Sequence, residues 1–105
     1  MQVVVNEQNF EQEVIKSDIP VLTVFEANWF AACELIKPII AEIEKEYDGI
    51  VKVAKIDVDE IPNIARKYYL HNFPTVMLFK DGEQKATTVG YRPKYVFEDI
   101  INNNK

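Results

Sequence analysis

A single cysteine, a single histidine and only three glycines occur among 105 residues, and each scarcity closes off a class of protein. Cys33 has no second cysteine to bond, so the fold must hold by packing and not by disulfide staples. His71 has no second ligand at a metal-binding spacing. Asp57, Asp59 and Glu60 lack the glycine-centred pattern of a calcium loop and read as a solvated turn. No glycine-rich phosphate loop and no Ser-His-Asp set is present, so no metal or cofactor is expected. The longest apolar run, Ile19 to Phe25, is broken by Pro20 and Thr23 and falls far short of a bilayer span. Twelve basic residues stand against 17 acidic ones, for a net charge of −5, and they form no block. That balance argues against nucleic acid and against an anionic membrane surface as partners. Glu7, Glu11 and Glu13 occupy the region where a secretory signal would be basic and then apolar. Together with the unpaired thiol, this points to a cytoplasmic protein.

What is present is an ordinary globular composition, 48% apolar and 28% charged, and a length that suits one domain over residues 1–105. Strand-like and helix-like periodicities alternate, the usual order of a layered α/β fold. Val3 to Val5 is a β-branched run. Asn6 offers a cap to a first helix carrying Phe10, Val14 and Ile15. Val21 to Ala27 is nearly unbroken in apolar character and reads as a buried central strand. Leu35, Ile39, Ile43 and Tyr47 recur every fourth residue beside Ile36 and Ile40, which predicts a long amphipathic helix kinked at Pro38. Ile50 to Ile56 follows as a strand, and Pro62 opens a short helix with Ile61, Ile64, Ala65 and Tyr68. Thr75 to Phe79 and Lys85 to Val89 flank Asp81-Gly82, an antiparallel hairpin signal. Pro93 starts a last helix with Val96, Phe97, Ile100 and Ile101 inward, ahead of a frayed Asn-Asn-Asn-Lys tail.

Three local features narrow this order. Val21-Leu22-Thr23-Val24-Phe25-Glu26-Ala27-Asn28-Trp29-Phe30-Ala31-Ala32-Cys33 joins a buried strand to a helix, with Pro38 five residues past the cysteine. Phe73-Pro74-Thr75 opens a later strand. Phe79-Lys80-Asp81-Gly82-Glu83 precedes Val89-Gly90. Over essentially the whole chain these resemble the thioredoxin family. The resemblance implies the thioredoxin fold, an α/β architecture with a central mixed five-stranded sheet flanked by four helices. In that family a Trp-Cys-Gly-Pro-Cys motif starts the helix, a cis proline faces the dithiol, and Val-Gly completes a substrate groove. Trp29, Cys33, Pro38, Pro74 and Gly90 fall on those positions, whereas Phe30 replaces the first cysteine and Ala31-Ala32 replace Gly-Pro. Val24 occupies the place of a buried aspartate, Lys55 that of its lysine neighbour, and Glu26 brings a carboxylate close by.

Disulfide exchange by this motif uses one thiolate to attack and a second thiol to resolve the mixed disulfide. Phe30 cannot attack, and Cys33, the one catalytic candidate, has no internal partner. It reads either as a buried core thiol or as a single reactive sulfur. Trp29, Phe30, Phe73 and Pro74 are expected to form an apolar patch with Tyr91 at its edge and Gly90 beside the proline. The alternative is that Phe30 folds down and plugs the groove. As a capping residue Phe30 is poor, which leaves Asn28 as a candidate cap. The leading expectation is therefore a monomeric binding module for an extended peptide or protein partner, without dithiol oxidoreductase activity. The second is a monothiol redox protein in which an external thiol resolves mixed disulfides on Cys33.

Overall fold

The computed structural model describes residues 2–105. Strands form where β-branched and aromatic residues concentrate: β1 Gln2–Val5, β2 Val21–Glu26, β3 Lys52–Asp57, β4 Thr75–Lys80 and β5 Glu83–Val89. They make one sheet in the order β1-β3-β2-β4-β5. β1, β3 and β2 run parallel, β4 is antiparallel to β2, and β5 is antiparallel to β4. Around this sheet lie α1 Ala31–Glu46, α2 Pro62–Lys67, α3 Lys94–Asn102 and a π-helical segment, Glu11–Ile15. A 3-10 turn, Val58–Glu60, leads into α2. This is the mixed five-stranded sheet with four helices that the family resemblance implies.

The central strand explains the layering. Because side chains alternate along a strand, Val21 and Phe25 of β2 join one core, with Phe10, Val14, Ile56, Ile61 and Phe79. Leu22 and Val24 join the other, with Ile36, Ile40, Ile43, Phe97 and Ile101 from α1 and α3. On the first side Phe10, Tyr68 and Phe79 stack at ring-centroid separations of 5.8–6.1 Å. Thr23, fully buried, satisfies its hydroxyl by donating to the Met77 carbonyl at 2.9 Å.

Several local expectations are met and several are corrected. The Asn6 side chain accepts from the Gln8 and Asn9 amides, while Asn9 Oδ1 accepts from the Asn6 amide, a reciprocal cap. The helix it starts is wider than an α-helix, for the Lys16 amide donates five residues back to Glu11 at 2.9 Å. Asp81 and Gly82 both have positive φ, 54° and 79°, as a type I′ hairpin turn requires. β5 starts at Glu83, earlier than the alternation indicates, with a bulge between Leu78 and Phe79 absorbing the register change. Leu35 is 62% exposed and does not belong to the core. A strict four-residue spacing drifts about 40° per step around an α-helix. The buried residues of α1 are instead Cys33, Ile36, Ile40 and Ile43, whose three-and-four spacing holds one face. The tail is tied down: Asn104 Nδ2 donates to the Ile100 carbonyl and Lys80 Nζ to the Lys105 carbonyl. Among the described residues no helix is long and apolar enough to cross a membrane.

Candidate functional site

Parallel β2 and β3 both end at one edge of the sheet, and β4, running the other way, begins there. The pairings Phe25↔Thr75 and Thr75↔Val89 fix this convergence. It places the start of α1, the Phe73-Pro74 segment and Gly90 at the carboxyl ends of the parallel strands, the usual location of sites in open α/β sheets. The Phe73–Pro74 peptide bond is cis. The Pro74 carbonyl accepts from the Gly90 amide at 2.8 Å. Gly90 has φ +84°, a conformation open to glycine and strained for other residues, although a Cβ there would meet nothing within 4 Å.

Phe30 stands at the N-cap of α1 in extended conformation, φ −105° and ψ 114°, and no side chain closes that helix end. Asn28 therefore does not cap it. The Phe30 amide donates to the Ala27 carbonyl at 3.2 Å, and its own carbonyl accepts from the Cys33 amide at 3.0 Å, closing the first turn. The Phe30 ring meets buried Phe73 edge-on at 5.5 Å and lies 6.3 Å from Trp29. Patch and plug thus both describe part of what is seen. Phe30 is half-buried against Phe73, and Trp29 remains 63% exposed. Tyr91 is an exposed residue one position past Gly90, and no ring contact among the described residues joins it to the other three aromatics.

Cys33 is buried, 5% exposed. A cleft of about 300 Å³ reaches it, lined by Glu26, Ala27, Asn28, Phe30, Cys33, Glu34 and Lys37. Burial pushes its thiol above the ordinary cysteine value, with the negative charges of Glu26 and Glu34 adding to the effect. A backbone hydrogen bond with Ala27 and the Lys37 ammonium act in the opposite direction. Burial also raises the Glu26 carboxyl, against the pull of Lys55 and Lys37. Val24, Glu26 and Lys55 lie on the same face of the sheet, since Val24 pairs with Lys55 and Glu26 is two residues further along β2. The carboxylate missing at position 24 thus has a neighbour two positions nearer to Cys33. Lys37 is the site residue that the sequence reading missed. Its signal in the sequence is spacing alone, four residues past Cys33 and three past Glu34 on one helix; in the structure Lys37 pairs with Glu34 at 2.9 Å. Among the described residues no group of three His, Cys, Asp or Glu side chains is placed to hold a metal ion.

The family model for thioredoxin matches residues 1–103. This chain belongs to the thioredoxin family. A thioredoxin of Rickettsia bellii is 50% identical over 100 residues, covering 95% of both chains. A thioredoxin of Rickettsia felis is 47% identical over the same share of each. One of Porphyra purpurea is 41% identical over 98 residues, covering 93% of this chain and 92% of its own. These similarities correct the leading functional expectation. Replacement of one cysteine predicts a binding module devoid of oxidoreductase chemistry, and that expectation is overturned by relatives that are similar over nearly their full length and carry the name thioredoxin. Phe30 is one position, whereas the similarity runs over 100 residues, 95% of this chain.

Proposed function

We propose that this protein carries out thiol–disulfide chemistry on protein substrates, with Cys33 as the reacting sulfur and Trp29, Phe30, Phe73, Pro74, Gly90 and Tyr91 as the groove that holds the substrate segment. The observation that supports this reading is that the Phe30 ring, which lines the Cys33 cleft, also meets Phe73 ahead of the cis proline, within a chain 50% identical to a thioredoxin over 100 residues. One sulfur sets the atom balance. Cys33 attacks a substrate disulfide, one substrate sulfur leaves as a thiol, and the other stays bonded to Cys33. With a single cysteine in the chain, a small monothiol must attack that mixed disulfide to free Cys33, and two monothiols in all supply the two electrons.

The test is the reduction of a protein disulfide in excess monothiol, with and without the protein. The wild type is expected to accelerate release of substrate thiols, with rate proportional to protein concentration, and Cys33→Ser to match the uncatalysed background. Equal rates for wild type and Cys33→Ser would overturn the reading.

A further inference from the structure

The Cys33 thiol is held in its protonated form by burial and by two neighbouring carboxylates, so its attack on a disulfide needs a group to receive the proton. Two carboxylates line the cleft. Glu34 is exposed and ion-paired with Lys37 at 2.9 Å. Glu26 is half-buried at the end of β2, and among the described residues no hydrogen bond or ion pair ends on its carboxylate. We propose that Glu26 takes the proton of Cys33, across the cleft the two residues share, when that sulfur attacks a disulfide, and returns it to the departing substrate sulfur. This rests on the redox reading above.

The step balances. The Cys33 S–H bond breaks, its proton passes to the Glu26 carboxylate, a Cys33–substrate S–S bond forms, and the substrate S–S bond breaks. The leaving thiolate then collects the proton, which regenerates the carboxylate. A cleft of about 300 Å³ has room for several waters at about 30 Å³ each, one route by which the proton can pass between the two groups. The charged groups packed around Glu26 act on its basicity in opposite directions. Asp57 on β3 and Glu34 on α1 disfavour its charge, Lys55 on β3 and Lys37 on α1 favour it, and desolvation prevails. A carboxylate made more basic than usual lies closer to the working pH, where proton transfer is most effective.

The deciding experiment compares wild type, Glu26→Gln and Glu26→Asp in two reactions across pH: alkylation of Cys33 by iodoacetamide, and single-turnover reaction of Cys33 with a neutral disulfide, bis(2-hydroxyethyl) disulfide. If Glu26 receives the proton, Glu26→Gln slows the disulfide reaction about 100-fold near neutral pH, at the lower end of general-base effects. The deficit shrinks as alkaline pH ionises the thiol directly, and Glu26→Asp recovers part of the rate. If Glu26 acts only as a like charge, its removal makes the thiol easier to ionise and both reactions speed up. That outcome, or equal disulfide rates in wild type and Glu26→Gln, overturns the proposal while leaving the redox function standing. A wild-type Cys33 inert to the disulfide in the folded protein overturns both.

Discussion

Replacing Phe30 by alanine tests how the groove is built. Truncating a fully buried phenylalanine costs about 3–5 kcal/mol. The Phe30 ring is half-buried, with its main contact the edge-on approach to Phe73 at 5.5 Å. At half the burial, with the aromatic contact already included in the cost of truncation, the expected loss is about 2 kcal/mol. For a urea dependence of about 2 kcal/mol per molar, the unfolding midpoint should fall by about 1 M with unchanged slope. A double-mutant cycle with Phe73→Leu should return a coupling of about 0.5–1.5 kcal/mol. The same truncation removes one wall of the cleft over Cys33, so alkylation of that thiol should accelerate. The increase should persist in the range of low urea where the rate does not follow global unfolding. A midpoint within about 0.2 M of wild type, together with unaltered alkylation, would refute the picture of Phe30 as a lid seated on Phe73.

Two further outcomes follow from the same geometry. Phe30→Cys places a second thiol three residues before Cys33 at the start of α1, where side chains one turn apart approach within disulfide reach. Reduction of a protein disulfide in dithiothreitol should then exceed wild type by about tenfold or more, because resolution becomes intramolecular; a rate equal to wild type would count against the site. The raised Glu26 carboxyl sets a sign for stability against pH. Between the ordinary glutamate value of about 4.3 and its own higher folded value, the native state binds more protons than the unfolded chain. Stability attributable to Glu26 is therefore present below that range and lost as pH rises through it. Glu26→Gln should accordingly be the more stable protein at pH 7 in urea titration, with the gap closing below about pH 4; a gap of opposite sign at neutral pH would show that Lys55 and Lys37 outweigh desolvation.

Residue patterns alone were enough for the element order and for the two-sided core. Val21 to Phe25 could be nothing but a central strand, because only a strand covered on both faces tolerates unbroken apolar character, and Asp81-Gly82 could hardly be other than a hairpin turn, since both positions need positive φ. The absence of a second thiol, and with it the need for an outside one, was equally legible, because counting cysteines requires no coordinates. Long-range geometry decided the rest. Leu35 reads as core until the helix is seen to present Cys33, Ile36, Ile40 and Ile43 to the sheet, a rotation fixed by what the helix packs against. Phe30 and Phe73 are 43 positions apart in the chain, and nothing local states that one ring rests edge-on upon the other. The same holds for the cleft that joins Glu26 of a strand end to Cys33 and Lys37 of a helix. Whether a carboxylate near a thiol is solvated or half-buried is a property of the surrounding packing, and packing exists only once the strands have paired.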